Sequence, residues 1–462
     1  MSVPQTKCRE FLDNKFKQSV QYAPLVTEKH YQTLGRNLVK INDNAIEDGR
    51  IVYLAIPPHF FLKSCELIHR YLRPQQLQTE AASFLRIVVE KPFGRDFQSA
   101  HELATHLRKI YGKDELYVMD HYAGKPVVHA LRDYFQLNAA ALHPVWNSEF
   151  IDDIHIEMLE TATLENRVHY FDSAGIIRDI VVNHLQLLLN IAISPSFDKP
   201  LSISKAAQKR HESQLRFIKA LRPSWQQNTL FVAKYDEYSS HYDAERSSPC
   251  NESDHFTPTA VSIKLRSALK QWRNTTFSFT AAKATNERLL YMNIKFKAGT
   301  FSNELARQCT LTVTIQRAHN ADCSQSHRIE WSCNVSKIFP DLLPPSGWKF
   351  LDTDNDRIIT PVKIPMENTA AWELGDEISA YDFLLSEVAN GALEHFANLD
   401  EVEAAWKLWT PVVNAVENIK HESIGETNDS RLYYSHYPIG TSPWKHYRQT
   451  SSTRSQFVKE DL

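Results

Sequence analysis

Glycine is scarce in this chain. Only 12 of 462 residues are glycine, and no two lie closer than twelve positions. That is about 2.6% against a usual ~7%. The spacing excludes the G-x-G-x-x-G dinucleotide turn, the phosphate-cradling P-loop, the kinase glycine loop and the G-x-S-x-G nucleophile elbow, which all need clustered glycines. The six cysteines (Cys8, Cys65, Cys250, Cys309, Cys323, Cys333) include no C-x-x-C pair. Neither a zinc site nor a dense disulfide framework is indicated, and reduced, buried thiols are expected. Excess charge of one sign is also missing: 52 basic residues face 55 acidic ones, a net charge of -3. That balance excludes a general nucleic-acid binder and a membrane-surface protein. The longest apolar region, Ile180–Ile193, is interrupted by Asn183, His184, Gln186 and Asn190, so no segment is expected to span a bilayer. The first residues are polar, with no secretory signal, and a cytoplasmic location is expected. The alternative is the endoplasmic reticulum lumen, if the true N-terminus lies upstream. Four N-x-S/T sequons (Asn251, Asn274, Asn334, Asn428) and a C-terminal Lys-Glu-Asp-Leu are weak pointers to that alternative.

What is present is a globular composition, with 42% hydrophobic and 11% aromatic residues. A polar helical region over 1–50 precedes a strand, Ile51–Ile56, that Pro57-Pro58 ends. A helical stretch about 59–72 leads to a second strand, Leu85–Glu90. Asp96 can cap the next helix, where Phe97, Ala100, Leu103, Leu107 and Ile110 recur at helical spacing. A third strand, Leu116–Met119, completes β-α-β-α-β, a parallel sheet covered on both faces. Ligands sit at the carboxyl ends of such strands, where Lys91 and Asp120 to Lys125 fall. From about 150 the pattern changes. A strand over Asp153–Leu159, an apolar helix over Ile176–Ile193 and a basic helix over 201–221 are followed by strands at 259–267, 275–281, 289–297, 309–317 and 327–333. These predict a large, mainly antiparallel sheet. Helices about 379–397 and 399–418 precede a polar tail. The fold class is thus α/β plus α+β: a partial doubly wound, Rossmann-like sheet (1–125), a large sheet domain with helices (126–430), and a tail (431–462).

Several polar clusters invite a chemical reading. His101 and His106 look like a zincin helix, but zincin histidines are four apart; five steps turn the second one roughly 140° away. Lys91 follows a buried strand, and the Lys91–Pro92 bond is one that can become cis. His121, Tyr122 and Lys125 together suit a phosphate, while Asp120 can instead orient a histidine elsewhere. His184 lies in an apolar helix with Arg178, Asp179 and Asn183. A lone buried histidine is more often a hydrogen-bonded core residue, yet burying four polar groups is costly unless they pair or face a cavity.

Three blocks, EKPFG (90–94), DHYAGK (120–125) and YFDSAGIIRDIVVNHL (170–185), in this order and spacing, resemble the glucose-6-phosphate dehydrogenase family. The similarity runs from about Tyr22 to about Pro411, and the tail around Tyr433–Gly440 looks more like the endoplasmic hexose-6-phosphate dehydrogenase branch. The resemblance implies oxidation of the C1 hydroxyl of glucose 6-phosphate to a lactone, with hydride passing to NADP, as in the pentose phosphate pathway. It implies His184 as general base and Asp120 as the carboxylate that orients it. His121, Tyr122 and Lys125 match the substrate-phosphate cradle, and Lys91 the junction of sugar and nicotinamide. Glu160 and Asp179 match acceptors for sugar hydroxyls, and Lys283 and Arg288 the cations that close over the substrate. Pro58 and Lys91 are the matched cofactor contacts. No metal is required, because the cofactor carries the hard chemistry. A homodimer or tetramer is expected, without nucleic-acid or membrane partners. Three departures (Ala123 for Leu, Ser173-Ala174 for an acidic-aromatic pair, Ala282 for Gly) remove no polar role. A larger one lies at the start: compared with the family, the chain opens roughly ninety residues downstream of the cofactor turn, so the first half of the doubly wound sheet is expected to be missing. Strand 51–56 would then be an apolar edge. The competing expectation is an inactive sugar-phosphate-binding or dimer-partner pseudoenzyme, against which stand the retained His184, Asp120 and Lys91.

Overall fold

The sequence periodicities are realised as regular elements in the computed structural model, which describes residues 9, 14, 16–41, 49–74, 83–193, 203–224, 229–245, 257–301, 309–318, 327–333, 335–344, 349–352, 357–359, 371–373, 379–418, 425–426 and 432–444. Contacts divide the chain into two compact units: Met1–Ile87 with Thr105–Leu116, and Val88–Ala104 with Tyr117–Leu462. The division passes through the helix Phe97–Ile110.

Strands β1 (Gly49–Leu54), β2 (Phe84–Glu90) and β3 (Leu116–Met119) form a parallel three-stranded sheet in that order. β1 is its edge, with Ile51 41% exposed. In the first unit, the helices Glu28–Ile41 and Phe61–Tyr71 bury Tyr31, Phe61, Cys65, Leu67 and Ile68. Burial pushes the Cys65 thiol up to about 12, so it is inert at neutral pH. Asp96 does cap the helix Phe97–Ile110: its Oδ1 accepts from the Ser99 backbone at 2.8 Å.

The second unit holds a larger sheet, thirteen-stranded among the described residues. Its strands are β4 (Ile151–Leu159), β5 (Leu221–Pro223), β6 (Leu230–Tyr235), β7 (Ala260–Ser267), β8 (Thr276–Ala282), β9 (Arg288–Phe296), β10 (Thr310–Ala318), β11 (Arg328–Trp331), β12 (Lys349–Asp352), β13 (Arg357–Ile359), β14 (Ala371–Glu373), β15 (Gly425–Glu426) and β16 (Leu432–Tyr437). Pairing is antiparallel except for β4 with β8 and β6 with β16. β16 lies beyond residue 430, in the stretch read as a polar tail. Tyr434 and Tyr437, three apart and so on opposite faces, are both buried, and the strand pairs with β6 along its whole length.

The apolar stretch expected as one helix over Ile176–Ile193 has two parts and continues a helix that starts at Val168. A helix Val168–Ile176 is kinked at Gly175 (φ +70°), a π-helical segment Ile177–Leu185 follows, and a helix Gln186–Ile193 completes it. Val168–Ile193 is long and apolar enough to cross a membrane, but 83% of its most apolar window is buried in the protein, as in a core helix. Its inner polar groups are paired: Gln186 donates to Asn190 Oδ1 at 2.8 Å and accepts from Trp409 Nε1 at 3.0 Å. The helix expected to reach 397 ends at Asn390, where Gly391 turns left-handed (φ +75°). Helix Leu399–Glu417 begins with a reciprocal capping box between Asn398 and Glu401.

The expectation of reduced thiols fails for one pair. Cys309 and Cys333 form a disulfide with Cα atoms 5.3 Å apart. The β10–β11 register sets Leu311 opposite Trp331, which carries residues 309 and 333 to facing positions beyond the strand ends. That register, not cysteine spacing, makes the pair.

Candidate active site

Two strand ends and one helical segment, all in the second unit, build the site. β2 delivers Lys91, whose bond to Pro92 is cis. β3 delivers Asp120, which caps a short 3₁₀ turn, His121–Gly124, by accepting from Tyr122 N at 3.0 Å. The π-helical segment supplies Asp179, Asn183 and His184. Bonding between residues i and i+5 stacks groups five apart, whereas an α-helix would set them roughly 140° from each other. Both Asp179 and His184 consequently reach one ammonium: Lys91 Nζ lies 2.5 Å from His184 Nε2, 3.1 Å from the Asp179 carbonyl oxygen and 3.8 Å from Asp179 Oδ1.

His184 is 2% exposed. Its Nδ1 lies 2.7 and 2.9 Å from the two oxygens of Asp120. Asp120 can only accept there, and Lys91 can only donate to Nε2, so the proton is assigned to Nδ1 and the Nε2 lone pair faces the site. Burial lowers the His184 pKa, with Lys91 acting in the same direction and Asp120 opposing. For Asp120, burial alone would raise the pKa, but the charge and hydrogen bond of His184, with Lys91 behind, hold it down at about 2. The pair therefore stands as carboxylate and neutral imidazole at pH 7.

The larger sheet adds a second group. β4 and β8 run parallel with Leu159 opposite Ala282, so Glu160 and Lys283 emerge side by side at the carboxyl ends. Lys283 Nζ bonds Glu160 Oε2 and lies 3.1 Å from Asp179 Oδ2. Burial disfavours its charge, but Glu160 and Asp179 together raise its pKa. Ala284, in the position after Lys283, takes φ +54° and its N–H reaches the Ala162 carbonyl, which turns the chain as the lysine enters the site.

His121 and Tyr122 pack their rings 5.1 and 4.1 Å from that of His184. Burial lowers His121 to about 4, so it is neutral and can donate one ring N–H. Lys125 Nζ lies 5.9 Å from the Tyr122 ring centroid. A cavity of about 80 Å³ borders the Asp120–His184 pair, lined in part by Lys91, Asp120, Arg132, Asn183, Gln186 and Asn190.

Lys91, Asp120, His121, Tyr122, Glu160, Asp179, His184 and Lys283 thus converge. Arg288 is exposed and turned to Gln316, whose amide oxygen accepts from its Nη2 and Nε at 2.6 Å. Pro58 belongs to the first unit. The decoy His101 instead pairs with Glu403 at 2.5 Å. Two supporting residues carried no local signal: Tyr381, whose ring stacks on His121 at 5.8 Å, and Trp406, which donates to the Phe93 carbonyl at 2.7 Å.

Residues 134–453 match the family model described as glucose-6-phosphate dehydrogenase, C-terminal domain, and residues 3–130 match glucose-6-phosphate dehydrogenase, NAD binding domain. The chain belongs to the glucose-6-phosphate dehydrogenase family. It is 29% identical over 427 residues to the GDH/6PGL endoplasmic bifunctional protein of Homo sapiens, covering 90% of this chain and 51% of that protein. The rabbit (Oryctolagus cuniculus) counterpart is 28% identical over 422 residues, covering 89% and 50%. Glucose-6-phosphate 1-dehydrogenase 6, cytoplasmic, of Arabidopsis thaliana is 27% identical over 427 residues, covering 90% and 75%. The chain spans about half the length of the first two. Among solved structures, a glucose-6-phosphate dehydrogenase in complex with its substrate glucose-6-phosphate shares the fold, with a TM-score of 0.72 at 24% identity over 99% of this chain and 87% of that one. The Mycobacterium avium enzyme aligns with a TM-score of 0.64 at 21% identity over 96% and 82%.

The family implies a nicotinamide cofactor. Its reactive end fits the residues present: Lys91 stands at the carboxyl end of a parallel strand, beside His184. The turn after β1, Ala55 to Phe60, carries no glycine and no Lys or Arg, so no pyrophosphate cradle is found there.

Proposed function

We propose that this chain oxidises the C1 hydroxyl of glucose 6-phosphate to 6-phosphogluconolactone, with NADP as hydride acceptor. The observation that carries the reading is His184, locked by Asp120 at Nδ1 with its Nε2 lone pair turned to Lys91. The sugar O1–H takes the place of the Lys91 donor at Nε2. His184 accepts that proton as the C1–H bond releases its hydride and C1–O1 becomes a carbonyl. Bound NADP supplies the hydride acceptor. Asp120 stabilises the imidazolium that forms, and Lys91 turns its donors to the Asp179 carbonyl and to the sugar. Glu160 and Asp179 accept from ring hydroxyls, held in place by Lys283. His121, Tyr122 and Lys125 donate to the phosphate, and a cation with two neutral donors suits a dianion.

An inactive homologue would have had no constraint to keep this base, its orienting carboxylate and its lysine in mutual contact. The test is reduction of NADP or NAD by the purified chain with glucose 6-phosphate, followed by nicotinamide absorbance. Turnover lost in His184→Ala supports the reading; a folded chain that neither turns over nor binds glucose 6-phosphate overturns it. The proposal includes self-association as a homodimer or tetramer, which light scattering reads. It also places the chain in an oxidising lumen rather than the cytoplasm, because a buried disulfide such as Cys309–Cys333 persists in oxidising compartments. Thiol alkylation of the protein in its own cells tests that; free Cys309 and Cys333 would count against it.

A further inference from the structure

We infer that Arg178 is a positioning residue: it clamps the loop that carries Lys91 to the segment that carries His184. The inference rests on the function proposed above. The loop 91–96 is short and tightly built. Gly94 is left-handed (φ +79°), and a Cβ there would meet the Ala100 backbone at 2.8 Å. Two buried side chains hold its carbonyls. Trp406 Nε1 donates to the Phe93 oxygen at 2.7 Å, and Arg178 Nε donates to the Arg95 oxygen at 2.8 Å.

Arg178 has the right shape for this. It is 8% exposed, in a helical segment that also carries Asp179, Asn183 and His184. Its planar fork serves three acceptors: the Arg95 carbonyl, the Ala174 carbonyl at 3.2 Å, and Glu417 Oε1 at 2.7 Å. Its own carbonyl accepts from Asn183 Nδ2 at 2.8 Å, one residue before His184. The next residue, Asp179, gives the carbonyl on which Lys91 Nζ rests. One side chain thus ties the lysine's loop to the backbone that presents the base. Lysine cannot replace it, because an ammonium lacks the fixed fork that spans three acceptors.

The groups that face His184 are Lys91 after β2, Asp120, His121 and Tyr122 after β3, and Asp179 on its own segment. Of these, Lys91 is the one whose loop Arg178 holds. Loosening it withdraws a cation from Nε2, so the His184 pKa rises towards its ordinary ~6.5. A misplacement of the order of 1 Å costs up to about 10²-fold in rate.

The experiment is imidazole NMR titration of His184 in the parent chain, Arg178→Met, Arg178→Lys and Trp406→Phe, with Lys91→Ala as reference. In Arg178→Met the titration is expected to move upward, in the same direction as in Lys91→Ala, with Arg178→Lys giving no full rescue. Steady-state rates should show kcat falling about 10- to 100-fold with KM for glucose 6-phosphate within about threefold. Trp406→Phe, which keeps the ring and removes the donor to the same loop, carries the test if Arg178→Met does not fold. An unchanged His184 titration in the folded variants overturns the inference, whether or not the chain turns over. Absence of turnover in the parent, with the titration still shifted in the variants, overturns the proposed reaction and leaves the clamp standing.

Discussion

Replacing Asp120 by Asn removes a charge while preserving shape, and the geometry says where each atom goes. Asp120 Oδ1 accepts from Tyr122 N at 3.0 Å, so an asparagine keeps its carbonyl oxygen there. Its NH₂ then occupies the place of Oδ2, 2.9 Å from His184 Nδ1. The retained carbonyl, 2.7 Å from Nδ1, can still accept from it, but the NH₂ competes for the same nitrogen, so the tautomer with its proton on Nε2 becomes populated and the imidazolium loses its counter-charge. The base is weakened with the fold intact. The expected fall in kcat is about 10²–10⁴-fold, the usual span of a general base, or about 3–5 kcal/mol of transition-state stabilisation. KM for glucose 6-phosphate should stay within about threefold, because the cap on the phosphate turn survives. The pH profile gives a second reading. Activity needs neutral His184, whose pKa lies below its ordinary value, so the acid limb lies below ~6.5. Asp120 does most to raise that pKa, with Asp179 behind it, and without Asp120 the limb of the residual activity moves to lower pH. Stopped-flow and steady-state reduction of NADP across pH 4.5 to ~8 would read both effects. A loss smaller than tenfold, or an acid limb that moves upward, would refute the tautomer argument.

Further expectations follow from other parts of the structure. Lys125→Met should raise KM for glucose 6-phosphate by about 10- to 100-fold, the worth of one charged hydrogen bond, with kcat little changed; an unaltered KM removes Lys125 from the phosphate cradle. Gly124→Ala sets a Cβ 2.3 Å from the Ala380 oxygen and 2.8 Å from Leu384 Cγ, so helix 380–390 must shift, at a cost of about 1–3 kcal/mol by denaturant unfolding. Wild-type stability there would mean the helix is free to move. Cys333→Ser opens a disulfide that joins residues 24 apart and should cost about 3 kcal/mol, with kcat unchanged below the unfolding transition. Burial holds His121 and His129 neutral in the folded chain, near about 4 and about 3. In the unfolded chain both protonate near ~6.5, so stability falls as the pH drops from ~6.5 towards 4. A midpoint flat over that window contradicts their burial.

Local pattern carried much of the fold. β1, β2, β3 and the strands from β7 to β11 lie within one or two residues of their expected places, because alternation or a short apolar run between breakers is a property of the segment itself. What pairs distant segments was not written locally. β16 joins β6 as a parallel neighbour across almost two hundred residues, and its register depends on both. Glu160 beside Lys283, and Cys309 facing Cys333, are likewise consequences of strand register. The motifs exposed the site residues through family resemblance; His184 alone, in an apolar helix, read as a core histidine. Arg178, Asn183, Gln186 and Asn190 were legible only as a puzzle, polar groups in an apolar run. The structure resolves it by pairing two of them with each other, turning Arg178 to the Lys91 loop and setting Asn183 on its carbonyl.

The π-helical segment Ile177–Leu185 makes the length of the chain a catalytic variable. An i to i+5 turn holds one residue more than the α-helices on either side, and the extra residue is what lets Asp179 and His184 meet the same ammonium. Deleting a single apolar residue between them, such as Val181, would close the turn to a regular α-helix with better hydrogen bonding. Asp179 and His184 would then stand four apart, roughly 40° from each other on one face of the helix, so the helix would gain and the two groups would still share a side. A single insertion between them instead sets them six apart, roughly 240° round an α-helix, and turns His184 away from Asp179. An insertion in this segment of a homologue is therefore a stronger sign of lost activity than the deletion of one residue.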